Sequence, residues 1–141
     1  MPRRVERLQA RGHENVTAEH ASTFEVTTDD FLTPAGDCIV GIESSRSPSD
    51  FDEEFVSACQ NRDAKITVTL AVDGHEVDIV GRGDPDLTFE SERSLVGRTS
   101  EYVDERTIAV EMDAAAGDLP RDLVEQLAAG ADLSVTLAVE W

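Results

Sequence analysis

The feature that most constrains this chain is that its second half repeats its first. A constant shift of 71 positions carries Leu8 onto Ile79, Arg11-Gly12 onto Arg82-Gly83, and Val16-Thr17 onto Leu87-Thr88. The same shift carries Phe24 onto Leu95, Thr28 onto Thr99, Phe31 onto Tyr102 and Leu32 onto Val103. After small deletions, Cys38-Ile39 falls on Thr107-Ile108, Asp50-Phe51 on Asp118-Leu119, and Phe55-Val56 on Leu123-Val124. The segment KITVTLAV at Lys65 then meets DLSVTLAV at Asp132. Agreement in order and polarity across so many segments marks an internal duplication, so one small unit must fold twice in a compatible way.

Hydrophobic periodicity defines that unit. Residues 5–11 read as a strand, and 12–15 as a turn by composition. From 16 to 26 the alternation has period two, with Val16, Ala18, His20, Phe24 and Val26 on one parity: one bent strand or two short ones. A loop over 33–37 leads to a short buried strand, 38–42. Ser49 is placed to cap a helix whose apolar stripe is Phe51, Phe55, Ala58 and Cys59. Residues 65–72 form a β-branched strand, and Asp73-Gly74 turns it into a strand at 75–81. The second helix carries Leu119, Leu123 and Leu127 and stops at Gly130.

Each unit is therefore strand, strand, strand, helix, strand. The expected fold is mainly β of the α+β kind, an antiparallel β-sandwich or a closed barrel with two amphipathic helices. Each half alone is of marginal size for a core, so the two pseudo-repeats, about 5–73 and 76–141, are read as a single domain over 1–141.

Charge excludes some functions. The chain has 30 Asp+Glu against 12 Lys+Arg, a net charge of -18, and Lys65 is its only lysine. Such a surface suits a protein that requires high salt for stability, because concentrated cations screen its self-repulsion. It argues against a broad nucleic-acid-binding face, which needs clustered Lys and Arg. No apolar run approaches membrane-spanning length, and the opening MPRRVERLQ lacks the apolar segment of a signal peptide, so a cytoplasmic location is expected. Cys38 and Cys59 read as free thiols.

The duplication works as an internal control. Residues shared by both halves are explained by the fold, and those present in one half point to function or drift. Cys59 matches Leu127 on a core-facing stripe, and His75 simply follows a hairpin. His13, His20, Asp37 and Cys38 are matched by Asp84, Ser91, Arg106 and Thr107 and form the asymmetric set. His13, His20 and Asp37 supply the ligand types of a divalent metal site, although His-x6-His is no tight ligand spacing. Cys38 beside a histidine base could act as a nucleophile. Arg98, with Thr99 and Ser100, could hold a carboxylate or phosphate, or pair with a surface acid. If the pseudo-twofold brought Arg98 near His13 and His20, one mixed pocket would result.

GHENVTAEH, TFEVTTDDFLTPAGDCIVGI, GRTS and RTIAVEMDAAAGDL together resemble the archaeal family known as domain of unknown function 371, over nearly the whole chain. The composition resembles its haloarchaeal branch. The resemblance implies a compact, mostly β domain of sandwich type and no assigned activity. It maps the family pattern onto Gly12, His13, Asn15, His20, Thr33, Gly36, Asp37, Cys38, Arg98 and Ser100. Glu14 stands where proline is common, and Asp84 where the second half often has histidine.

Three functions follow from these residues. The first is a small binding or adaptor module using His13, Asn15, His20, Asp37, Cys38, Arg98 and Ser100. The second is a metal-assisted hydrolase using His13, His20, Asp37 and Cys38. The third is a non-catalytic structural subunit whose polar residues satisfy backbone groups in loops.

Overall fold

A computed structural model describes residues 2–141. Strands β1 (Arg3–Arg11), β2 (Thr23–Thr27) and β3 (Ile39–Gly41) are followed by helix α1 (Glu53–Cys59) and β4 (Lys65–Val72). The second half repeats the order with β5 (His75–Arg82), β6 (Ser94–Arg98), β7 (Thr107–Ala109), α2 (Arg121–Ala128) and β8 (Asp132–Glu140). A 3₁₀ turn precedes each helix, at Pro48–Asp50 and Ala116–Asp118. Asp52 caps α1 by accepting from the Glu54 N–H at 2.8 Å, so the helix starts later than a Ser49 cap implies.

The strands form two four-stranded sheets, ordered β1-β8-β4-β5 and β3-β2-β6-β7. The first is antiparallel throughout. The second is antiparallel only at β2–β6, because β3 and β7 run parallel to their neighbours. Crossovers over 28–38 and 99–106 return the chain to run parallel on the sheet's two edges. The architecture is therefore mainly β of the α+β kind, and the closed-barrel alternative is corrected. Single bridges at Arg11–Ile42 and Arg82–Val110 touch the sheets together at two corners and close no continuous ladder.

Both sheets mix the halves. β1 pairs with β8 and β5 with β4, while the last strands of the two halves, β4 and β8, lie side by side at the centre. The turn after each first strand also packs on the other half's helix. The Gly12 N–H donates to the Ala131 carbonyl at 2.8 Å, and the Gly83 N–H to the Ala64 carbonyl at 3.0 Å. A Cβ on Gly12 would lie 1.9 Å from the Leu127 carbonyl oxygen, and one on Gly83 2.1 Å from that of Cys59. This close backbone approach explains both shared glycines.

One face of the first sheet is buried, whereas β6 and β7 of the second are buried on both faces. Ile66, Val68, Leu70, Leu133, Val135, Leu137 and Val139 face inward from the central strands of the first sheet, against Phe24, Val26, Leu95 and Ile108. Phe51, Phe55 and Phe89 cluster with centroids 5.6–6.1 Å apart, joining α1 to a turn of the second half. Residues 16–22 depart from the expected strand. Ala18 sits at φ 48° and its counterpart Phe89 at φ 53°, a left-handed step that no strand accommodates.

Gly12→Ala and Gly83→Ala should each cost roughly 3 kcal/mol, the upper end for an overpacked site, because rigid carbonyls stand in the way. Gly74→Ala, at φ 81° with nothing within 4 Å, should cost only about 1 kcal/mol. Urea unfolding of the three variants in molar KCl checks this ranking.

Candidate functional site

The two motif histidines are built into turns through the same atom. His13 Nδ1 accepts the Asn15 N–H at 3.0 Å, as Asp84 Oδ1 accepts the Asp86 N–H at 2.9 Å in the second half. His20 Nδ1 accepts the N–H groups of Ser22 at 3.3 Å and Thr23 at 3.1 Å. Ser91 Oγ accepts those of Arg93 and Ser94, both at 3.2 Å. Imidazole nitrogen, carboxylate and hydroxyl are all acceptors of about the right reach, so each histidine does locally what its counterpart does. An acceptor Nδ1 places the neutral ring's proton on Nε2. His20 is half-buried in a turn and is not a core residue.

From His20 a chain of polar contacts crosses the second sheet and joins the halves. The Thr23 hydroxyl lies 3.0 Å from His20 Nδ1 and is near enough to the Cys38 thiol to favour its ionisation slightly. Cys38 Sγ donates to Glu25 Oε1 at 3.6 Å. Glu25 Oε1 is 3.8 Å from Arg106 NH1, and Arg106 NH2 is 3.1 Å from Asp104. Asp104 in turn pairs with Arg98 NH2 at 3.0 Å, while Arg98 Nε donates to Thr107 Oγ1 at 2.8 Å. Strand register explains the assembly: Thr23 lies opposite Arg98 and Glu25 opposite Val96, with Phe24 and Leu95 turned inward.

The electrostatics of this chain restrict its chemistry. Burial, reinforced by the Glu25 carboxylate, pushes the Cys38 thiol up to about 11. Cys38 therefore holds its proton at neutral pH, the opposite of an activated nucleophile. Burial also pushes the Cys59 thiol far up. Asp104 moves the other way. Its partial burial opposes ionisation, but the Arg106 backbone N–H and guanidinium and the Arg98 charge outweigh that and hold it down at about 2.

Arg98 is 9% exposed and bonded to Asp104 and Thr107, with its guanidinium 4.8 Å from the Tyr102 ring centroid. It does not rim an open pocket with the histidines. His20 and Arg98 flank Thr23, whereas His13 lines a shallow dent with Arg11, Ala128 and Gly130. The Asn15 amide donates to the Leu32 carbonyl at 2.7 Å, and Ser100 Oγ accepts the Tyr102 N–H at 3.3 Å. The Asp37 carbonyl accepts from the N–H groups of Glu19 and His20. Among the described residues no three His, Cys, Asp or Glu side chains converge as a metal-binding group, so His13, His20 and Asp37 are not assembled as one.

Hydrogen bonding also corrects the repeat alignment by one position. The Glu25 N–H donates to the Cys38 carbonyl and the Val96 N–H to that of Arg106, which makes Arg106 the counterpart of Cys38. Asp37 then matches Glu105 through equivalent bonds to His20 and Ser91. Sequence reasoning passed over Glu25, Asp104 and Tyr102. The available signals were Glu25 on the polar parity of β2, and aromatic residues at the matched positions Phe31 and Tyr102.

A family model described as a domain of unknown function, DUF371, matches residues 8–140. An uncharacterised protein of the archaeon Methanocaldococcus jannaschii, MJ0206, is 38% identical over 132 residues, which is 94% of this chain and 97% of that protein. The chain belongs to the DUF371 family.

Two measurements check the electrostatics. Native-state alkylation of Cys38 should accelerate only as pH rises towards about 11, and Glu25→Gln should bring the rise to lower pH. Because the folded thiol stays protonated where the unfolded one ionises, stability should fall between about pH 9 and 11. Asp104 has the opposite sign: its contribution is present above the unfolded value near 4 and disappears as pH falls through about 2. Asp104→Asn should flatten that acid limb and, by leaving Arg98 uncompensated, cost about 2–3 kcal/mol in neutral urea titrations, somewhat less than a fully buried pair.

Proposed function

We propose that this DUF371 protein is a small non-catalytic binding module that receives a protein partner on the crossover around Tyr102, beside its second sheet. The observation that carries this reading is the Tyr102–Arg98 pair. Tyr102 is 60% exposed and stacked on a guanidinium that Asp104 and Thr107 hold in one orientation. Large aromatics and arginines dominate binding energy at protein interfaces, and a pre-ordered anchor loses little entropy on docking. Arg106, Glu25 and Asp104 provide charged contacts beside the anchor, and Cys38 adds a protonated thiol. Phe31, 55% exposed, occupies the equivalent loop of the first half.

The chemistry of the motif supports binding over hydrolysis. Both histidines use Nδ1 to hold turns, and the thiol is the poor nucleophile form. Affinity capture from source-cell extract in molar KCl, with wild type, Tyr102→Ala and Trp141→Ala as baits, tests the proposal. A partner held by wild type and Trp141→Ala should bind Tyr102→Ala about thirtyfold more weakly, the loss expected of a hot-spot residue. Equal binding to all three baits contradicts the proposal.

A further inference from the structure

The outer face of the first sheet is a second surface, independent of the one above, and its side chains are laid out in rows. Inward residues of all four strands alternate with outward ones, and the strand register fixes which outward residues stand abreast. Reading from β1 through β8 and β4 to β5, the rows are Arg3, Glu140, Lys65, Arg82; then Val5, Ala138, Thr67, Val80; then Arg7, Thr136, Thr69, Asp78; then Gln9, Ser134, Ala71, Glu76. The two central columns hold only small residues apart from the Glu140–Lys65 step, so another flat surface can approach closely. Neighbouring contacts hold some of the polar side chains in place: Thr69 Oγ1 donates to Asp78 at 2.6 Å and Ser134 Oγ to Gln9 at 3.0 Å.

Charge sets this face apart. In a chain of net charge -18, its cations Arg3, Arg7 and Lys65, which form no ion pair among the described residues, are balanced by the acids Glu76, Asp78 and Glu140. The balance comes from divergence between the halves. Arg7 and Asp78 are equivalent under the shift of 71, so one pseudo-symmetric position is basic on one flank and acidic on the other.

We infer that this face docks on the same face of a second copy of the chain, about a two-fold axis parallel to the strands. Such an axis keeps every row at its level and exchanges its two ends. Arg7 then meets the partner's Asp78, Lys65 meets the partner's Glu140, and Val5 meets the partner's Val80. Ala138 covers the partner's Thr67, and Thr136 covers the partner's Thr69. Each contact occurs twice, as an isologous interface requires. Arg3 faces the partner's Arg82, whose guanidinium is already bound by Asp84, Glu101 and Glu111. A two-fold axis across the strands would instead lay β1, with Arg3 and Arg7, on the partner's β1, and β5, with Asp78 and Glu76, on the partner's β5, so that opposite charges no longer meet. Aligned packing of twisted sheets is a common arrangement.

Size sets the strength. Four strands of about seven residues cover roughly 23 by 19 Å, which gives roughly 900 Å² over two copies. That lies below the roughly 1,200 Å² at which stable specific interfaces begin, in the range of weak, transient ones, so a dissociation constant on the order of 10–100 μM is expected. High salt favours association by screening repulsion between the acidic surfaces.

Sedimentation equilibrium in molar KCl, over roughly 10 μM to 1 mM protein to bracket that constant, tests the proposal. Wild type should pass from monomer to dimer. Arg7→Asp alone should weaken dimerisation about tenfold or more through two like-charge contacts, and Arg7→Asp with Asp78→Arg should restore it. Thr136→Arg, which leaves both charges and the Thr69–Asp78 bond in place, should abolish the dimer while thermal melts report a folded monomer. A wild type that stays monomeric overturns the inference. So does a dimer indifferent to Arg7→Asp or Thr136→Arg, or a folded charge swap that fails to recover.

Discussion

Every other feature of the molecule depends on how the halves exchange strands. β1 has its ladder partner in β8 and β5 has its own in β4, so the first strand of each half is held by the last strand of the other. The same exchange carries the turns after β1 and β5 onto the opposite helices, so closely that only glycine fits at 12 and 83. Buried backbone groups must be paired, and here the partner is supplied from across the pseudo-twofold. Arg11 and Arg82 guard these crossings from outside. Each donates to the following glycine carbonyl and to a glutamate, Glu43 or Glu111, that itself sits in the left-handed region.

This constraint gives the family motif a physical meaning. The segment from Gly12 to His20 is irregular because it must leave a sheet, touch a helix and enter the other sheet within a few residues. Such a path strands backbone N–H groups, and the motif provides acceptors for them: His13 for Asn15, and His20 for Ser22 and Thr23. The second half meets the same need with Asp84 and Ser91. Divergence between the halves has instead accumulated outside the core, where Arg106 of one half meets Glu25 beside Cys38 of the other at the second sheet, and Arg7 is the counterpart of Asp78 on the first. Both proposals of binding rest on those differences.

Much of the fold was legible because it rests on local patterns. Alternation in KITVTLAV and DLSVTLAV marked β4 and β8, Asp73-Gly74 marked the β4–β5 hairpin, and Gly130, at φ 87°, ended α2. The site was less legible because it depends on long-range geometry. Period two over 16–26 ran through Ala18, whose left-handed backbone breaks the strand while its side chain remains buried. The deletions in the crossover let Cys38-Ile39 fall on Thr107-Ile108 in sequence, whereas the backbone pairing makes Arg106 the counterpart of Cys38. Parallel pairing of β3 and β7, which brings Cys38 alongside Glu25, has no local signature at all. The sequence allows Arg98 an anion or a surface acid without naming the acid, because its partner Asp104 lies in the crossover, beyond the strand that carries it.

The central claim is that the motif histidines serve the fold as turn acceptors, interchangeable with their counterparts in the other half. The most direct measurement is the unfolding free energy of His13→Asp/His20→Ser, compared in molar KCl with wild type and with His13→Ala/His20→Ala. The transplanted pair should stay within about 1 kcal/mol of wild type, while the alanine pair loses about 1–2 kcal/mol per site, as when a capping acceptor is removed. An alanine pair as stable as wild type, or a transplanted pair as unstable as the alanine pair, would contradict the account.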